Sequence, residues 1–198
     1  APTRLRWTAI LPLRDPKSAI KEIRRVKDAG AVSLVCFGTV GEKMLHAREF
    51  DAVWAAAAEA GLPISCHVGW PMGSMRDMCD EHSSSLAVSF TLPLLIGFYS
   101  FLAGGILDRH PKLRVAFLEA GAGWVPWYLS RINHYYPVAE FFRSSFGLDK
   151  ITRKEPETYR DRVFVTAEAD EGLMPQVIAC LGEDNVMVSE DMPHLELR

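Results

Sequence analysis

Short apolar segments alternate with helix-forming segments along the whole chain, and this alternation limits the possible folds more than any other feature. The predicted strands cover residues 5–11, 31–37, 62–68, 113–118, 162–166 and 185–189. Strands that alternate with helices form parallel sheets joined by right-handed crossovers. Because no GxGxxG turn follows any of these strands, the pattern favours an α/β fold of the (β/α) barrel type over a dinucleotide-binding fold.

The helices between these strands carry their own start and stop signals. Asp15 followed by Pro16 predicts an N-cap with proline in the first helical position, and Gly30 predicts the end of that helix. A long polar segment, residues 69–85, precedes a hydrophobic helix. The remaining helices are predicted over residues 49–60, 86–107, 124–136 and 174–181.

The number of strand–helix units indicates how much of a barrel the chain holds. A complete eight-unit barrel usually needs about 250 residues, and this chain has 198. We therefore expect a single, partial barrel domain over residues 1–198 that is roughly two βα units short of eight. It is expected to lack the first one or two βα units and the closing helix.

Charge and composition exclude several classes of partner. The formal net charge is −3 and no long basic run occurs, so neither nucleic acid nor a membrane surface is an expected partner. The most apolar stretch, residues 92–107, is interrupted by proline and glycine, which predicts a buried helix instead of a membrane span. The four cysteines form no CxxC pair, which favours a reduced, cytoplasmic protein. A small-molecule substrate is expected, and residues 124–142 are a candidate interface for a homo-oligomer.

Ionisable residues follow four successive predicted strands. His67 ends the third strand, Glu119 follows the fourth, Glu168 the fifth, and Asp191 the sixth. In parallel barrels the active site lies at the carboxyl ends of the strands. We therefore expect these side chains to meet at one rim of the barrel.

His67 and Asp191 are the candidate metal ligands. A neutral imidazole at His67 can coordinate a divalent metal, although a core histidine bonded to a backbone carbonyl is the more common use of such a position. Asp191 can bind a metal and take a proton from metal-bound water, or it can simply occupy a turn before Pro193.

Glu119, His194 and Trp70 complete the set of candidate site residues. Glu119 opens the segment EAGAGW, whose small residues let the backbone approach a ligand before a helix amino end. It can orient a water or substrate, complete a metal shell, or offset the helix dipole. His194 either contacts a substrate or caps its loop. Trp70 either walls a substrate pocket or belongs to the core.

Four segments occur in a recognisable order: RLRWTAILPLRD at residues 4–15, GLP at 61–63 leading to His67, PKLRVAFLEAGAGWVP at 111–126, and DMPH at 191–194. Together they resemble the amidohydrolase-related family. This is the branch of the amidohydrolase superfamily that includes aminocarboxymuconate-semialdehyde decarboxylase. The resemblance covers nearly the whole chain.

The resemblance implies a distorted (β/α)₈ barrel that binds one divalent metal ion, most often zinc. His67 matches the family's metal-binding histidine at the end of the fifth strand, and Asp191 matches the metal-binding aspartate after the eighth. By this resemblance the six predicted strands are the third to the eighth of the barrel. The sequence departs from the family in two places. It contains no His-x-His pair, and Glu119 stands where the decarboxylases carry a catalytic histidine.

Three functions are compatible with these residues. The first is a metal-dependent hydrolase of a small cyclic or carboxylate-bearing substrate, in which Asp191 and Glu119 act as catalytic residues on a metal-activated water. The alternative is a non-oxidative decarboxylase or hydratase of an aromatic-derived carboxylic acid that uses the same site. A third is a non-catalytic barrel fragment without metal, which the missing His-x-His pair suggests.

Overall fold

The predicted strands form one parallel sheet in the structure, a computed structural model that describes residues 4–145 and 161–189. The strands of this part of the chain are β1 (Thr8–Ile10), β2 (Ser33–Phe37), β3 (Thr39–Val40), β4 (Lys43–Met44), β5 (Ile64–His67), β6 (Val115–Leu118), β7 (Val163–Ala167) and β8 (Val186–Val188). The main sheet has the order β1-β2-β5-β6-β7-β8, and every neighbouring pair in it is parallel. Strands β3 and β4 form a separate antiparallel sheet.

Helices follow the strands in the described part of the chain, as the sequence predicts. The Asp15 side chain accepts a hydrogen bond from the backbone N–H of Lys17 at 3.1 Å, and a left-handed Gly61 (φ 67°) ends the second helix. The helices are α1 (Pro16–Asp28), α2 (Asp51–Ala60), α3 (Gly73–Met78), α4 (His82–Ser84), α5 (Leu92–Phe101), α6 (Ile106–Arg109), α7 (Val125–Ser145) and α8 (Met174–Leu181).

The predicted single helix over residues 86–107 is wrong, because the segment is broken into several pieces. A π-helical turn, Ser85–Phe90, precedes α5. Pro93 lies in the first turn of α5, where a backbone N–H has no partner within the helix, so its missing N–H costs no hydrogen bond. Gly105 then adopts a left-handed conformation (φ 79°) that separates α5 from α6. Glycine tolerates this conformation because it has no Cβ atom.

The expected burial of this apolar region is confirmed by α5. Phe98 and Phe101 are fully buried, and their rings lie 5.0 and 6.0 Å from the ring of Phe117 on β6. Among the described residues, the helical segment His82–Arg109 has the length and hydropathy of a membrane span, but half of its most apolar window is buried inside this fold. The α5 helix therefore covers one face of the sheet.

Helix α5 and strand β2 approach each other at two glycines. A Cβ atom on Gly38 would lie 1.8 Å from the carbonyl oxygen of Pro93, and one on Gly97 would lie 2.7 Å from the Cα atom of Gly38. No side chain fits in either place. The glycine pair therefore fixes the position of α5 over the end of β2.

The opposite face of the sheet carries Phe37, His67 and Leu118, which are neighbours in register on β2, β5 and β6. In-register residues of parallel strands point to the same side. Farther down the same face, the Ser33 and Ser65 hydroxyls lie 2.5 Å apart. Phe37 is 46% exposed and Ile10 on β1 is 77% exposed. This face is therefore the accessible one, and it presents His67.

Candidate active site

His67 and Glu119, predicted from the ends of separate strands, lie in direct contact. The Nε2 atom of His67 is 2.9 Å from Oε1 of Glu119, and each side chain is 31% exposed. They meet because β5 and β6 are adjacent and parallel, so residues at their carboxyl ends share one rim. The pair is half-buried but open to a small ligand.

The backbone fixes which nitrogen of His67 faces the rim. Nδ1 lies 2.8 Å from the carbonyl oxygen of Val68. A carbonyl only accepts, so Nδ1 carries a hydrogen and donates it. This leaves Nε2 as the ring nitrogen that can bind a metal or share a proton with Glu119. The hydrogen bond to a backbone carbonyl that we expected of a core histidine is therefore present. It orients the imidazole ring so that Nε2 points toward the rim.

Glu119 is held in an unusual backbone conformation. Its φ is 69°, and it is the one non-glycine residue with positive φ in the described part of the chain. For a residue with a Cβ atom this conformation costs about 1–2 kcal/mol. The backbone N–H of Glu119 donates to Oγ1 of Thr166 on β7 at 3.0 Å. The strained turn places the Glu119 carboxylate beside His67 instead of along the direction of β6.

Glu171, which was not among the predicted site residues, closes the loop that follows Glu119. Its carboxylate accepts from the backbone N–H of Ala122 at 2.9 Å, of Gly123 at 3.0 Å and of Glu168 at 2.9 Å. A Cβ atom on Gly121 would lie 3.0 Å from this carboxylate. The small residues before α7 therefore bind an anion, as the sequence indicates, but the anion is a carboxylate of this chain.

Asp170 lies shortly before the helix that follows β7, but it is not the N-cap of that helix. The residue before α8 is Leu173, and no side chain caps that end. The neighbouring acidic residue, Glu171, instead caps the loop before α7. The signal available in the sequence was the run of small residues at 121–123 before a helix, whose backbone N–H groups need an acceptor from another segment.

Two of the predicted site residues, Asp191 and His194, lie outside the described residues. Glu168 is exposed, and its backbone N–H donates a hydrogen bond to the Glu171 carboxylate. Across residues 4–145 and 161–189, no three His, Cys, Asp or Glu side chains converge on one possible metal position. His67 and Glu119 offer one nitrogen and one carboxylate, and both are ligand types that a divalent cation accepts. They supply only two ligands, whereas a metal site in a protein usually has at least three protein ligands.

Trp70 lies in the loop after β5, beside a cleft of about 410 Å³ that Phe37 also lines. Its indole N–H donates to the Ser85 hydroxyl at 2.9 Å, and its ring centroid is 4.5 Å from that of Phe90. The side chain remains 45% exposed. Trp70 is therefore anchored at one edge and accessible to a ligand, and its role in substrate binding stays a prediction.

Comparison with known proteins shows that the chain is similar to several decarboxylases. A family model described as Amidohydrolase matches residues 1–198. The chain is 26% identical to a gamma-resorcylate decarboxylase of Rhodococcus jostii, covering 97% of the chain and 61% of that protein. It is 23% identical to a 2-amino-3-carboxymuconate-6-semialdehyde decarboxylase of Dictyostelium discoideum, covering 97% and 52%. The chain thus spans half to three fifths of the length of these relatives.

Solved structures share the fold. The 5-carboxyvanillate decarboxylase LigW of Sphingomonas paucimobilis superimposes with a TM-score of 0.82 at 23% identity, covering 97% of the chain and 57% of that chain. A dihydroxybenzoic acid decarboxylase of Polaromonas sp. JS666, with bound manganese and 2-nitroresorcinol, gives 0.69 at 20% identity, covering 97% and 60%. These barrels confirm the predicted fold class, of which the six-stranded sheet is a part.

Proposed function

The chain belongs to the amidohydrolase family whose model matches its full length, and from this premise we propose that it serves the non-oxidative decarboxylation of a hydroxylated aromatic carboxylic acid. From the sequence alone, hydrolysis was the first expectation and decarboxylation the alternative. The curated relatives named above are decarboxylases, which supports the second possibility over the first.

The observation that carries this proposal is the 2.9 Å contact between His67 Nε2 and Glu119 Oε1. Because Nδ1 of His67 already donates to Val68, Nε2 is the ring nitrogen that faces the rim and can bind a cation. The Glu119 carboxyl group beside it is then the group that would carry a proton at the accessible rim of the sheet. Decarboxylation of a ring acid needs such a proton.

The donor atoms support a divalent cation. We propose that His67 holds it together with Asp191, and that Glu119 lies beside it. When bound, such a cation polarises the oxygen atoms of the substrate. Zinc was expected from the family resemblance. Manganese is the better proposal, because carboxylate ligands suit it and two related decarboxylase structures contain it.

The chain's own residues then have separate tasks. Glu119 delivers a proton to the ring carbon that carries the carboxylate, the bond between that carbon and the carboxylate breaks, and carbon dioxide leaves. The π electrons of the ring form the new C–H bond, and the electron pair of the broken C–C bond returns to the ring and restores its aromaticity. Thr166 and Glu171 act as positioning residues, since they hold the backbone of Glu119 and of the loop after it. Phe37 and Trp70 limit the access of water to the ring.

The test is carbon dioxide release by the chain with Mn²⁺ from 2,6-dihydroxybenzoate and 5-carboxyvanillate, next to a panel of esters and amides. Glu119→Gln keeps the shape but cannot deliver a proton, so release should fall by about a hundredfold or more. Glu59→Gln, an exposed glutamate on α2, is the matched control. Ester or amide cleavage without carbon dioxide release would overturn the proposal in favour of hydrolysis.

We also propose a cytoplasmic location and self-association through α7. The support for self-association is the exposure of its aromatic residues, since Trp127 is 60% and Phe141 66% exposed. Aromatic side chains are enriched at interfaces between proteins. Sedimentation of the purified chain tests the second point, and a monomer at micromolar concentration would contradict it.

A further inference from the structure

The cleft beside Trp70 has the size and lining of a small-molecule site. Its volume is about 410 Å³, within the range of pockets that bind small ligands. Its apolar walls come from three places in the chain: the loop after β1, the end of β2 with β3, and the loop after β5. Phe37, in its wall, is the in-register neighbour of His67. The cleft therefore adjoins the candidate active site on the side of β1 and β2.

Two exposed aromatic side chains border this cleft. Phe37 is 46% and Trp70 is 45% exposed. A Cβ atom on Gly69 would lie 2.4 Å from the Phe37 ring, so the glycine lets that ring pack against the backbone between His67 and Trp70. The Trp70 edge is fixed by its hydrogen bond to Ser85. Rigid, accessible rings of this kind are suited to packing against a planar ligand.

Arg14 brings a cation to the same cleft. It follows β1 and lines the cleft, and its side chain is exposed. Within residues 4–145 and 161–189 it has no hydrogen bond or ion pair, whereas Arg25 and Arg109 each contact a carboxylate of the chain. A guanidinium binds a carboxylate through two parallel hydrogen bonds. The cleft thus combines aromatic walls with an unpaired anion receptor.

Thr39 adds a polar group without a partner. It is 3% exposed and lines the cleft, and its Oγ1 atom has no hydrogen-bond partner in the described part of the chain. An unsatisfied buried hydroxyl costs stability. Because Thr39 lines the cleft, an oxygen atom of a bound ligand within reach of Oγ1 would satisfy this hydroxyl.

We infer that this cleft recognises a retained acidic group on the substrate, with the ring against Phe37 and Trp70 and a carboxylate on Arg14. This inference rests on the proposed function, because the carboxylate that leaves must lie at Glu119. Two strand spacings of about 4.8 Å separate β1 from β5, so Arg14 contacts a different group from the one at the rim. The substrate class is an aromatic acid with a second carboxylate.

The test compares 5-hydroxyisophthalate with 3-hydroxybenzoate, which lacks one carboxylate, by calorimetric titration of the metal-free chain. Two charge-assisted hydrogen bonds predict about a tenfold to hundredfold preference for the dicarboxylate. Arg14→Gln should remove that preference, and Arg14→Lys should retain part of it because the charge stays. Thr39→Val should weaken binding by up to about tenfold. Arg24→Gln, an exposed arginine on α1 outside the cleft, should change nothing.

The outcomes separate this inference from the proposed function. Equal binding of both acids, or no binding of either, would overturn the inference that the cleft recognises a second carboxylate. A preference for the dicarboxylate that survives Arg14→Gln, in a chain of unchanged unfolding free energy, would overturn it as well. A chain that shows the preference but releases no carbon dioxide with Mn²⁺ would leave the recognition site standing and refute decarboxylation.

Discussion

Replacing Glu171 with alanine removes one carboxylate that three backbone N–H groups share. These belong to Ala122, Gly123 and Glu168, at distances of 2.9 to 3.0 Å. Loss of a helix-capping side chain costs about 0.5–2 kcal/mol, and hydrogen bonds to a charged acceptor contribute about 1.5–3 kcal/mol each. Water replaces part of this in a half-buried loop. We therefore expect Glu171→Ala to lower the free energy of unfolding by about 2–4 kcal/mol.

The assay is urea unfolding of the chain followed by circular dichroism. Glu171→Gln keeps one acceptor oxygen and should lose about half as much as the alanine variant, whereas Glu59→Gln should stay within about 0.5 kcal/mol of the unchanged chain. The turn at Glu119 adjoins this loop, so Glu171→Ala should also slow carbon dioxide release. A loss below about 0.5 kcal/mol for Glu171→Ala would refute the claim that this carboxylate holds the loop.

Three further predictions follow from the described contacts. Burial raises the pKa of Asp51, but hydrogen bonds from Arg109 and His110 outweigh it and hold the pKa below its usual range. The stability that this ion pair contributes is present above about pH 4 and is lost as the pH falls through the lowered pKa. Asp51→Asn should therefore cost about 1 kcal/mol at pH 7 and less at pH 3 in urea unfolding. An equal cost at both pH values would contradict the ion pair. Gly38→Ala should destabilise the chain by about 3 kcal/mol or more in the same assay, because its Cβ would overlap the Pro93 carbonyl, while Gly172→Ala, with open space around it, should not. Hydrogen bonds from Ser83 and Ser84 lower the pKa of Glu81 to about 2; Ser83→Ala should raise its NMR titration midpoint, and an unchanged midpoint would contradict the assigned cause.

The strands and their order were predictable because each is an apolar run bounded by glycine or polar residues. The breaks within the helical segment His82–Arg109 were not predictable from the sequence, since they depend on how α5 packs at Gly38 and Gly97. The hairpin of β3 and β4 was missed because two-residue strands carry too few residues to show a period.

The candidate site divides in the same way. The contact of His67 with Glu119 followed from strand ends, because adjacent parallel strands deliver their last residues to one rim. Glu171 was missed because the amides it binds lie 48 and 49 residues away in the chain. The roles assigned to Asp191 and His194 stay predictions, as both lie outside the described residues.

Manganese binding to the chain tests the central claim most directly. Titration followed by electron paramagnetic resonance should give about one Mn²⁺ per chain. His67→Ala should weaken this binding by more than the tenfold to hundredfold that loss of a mere supporting contact causes. His134→Ala, on the exposed side of α7, should leave it unchanged. Equal affinity in the unchanged chain and His67→Ala, or no binding by either, would contradict the account and favour a barrel without a metal centre.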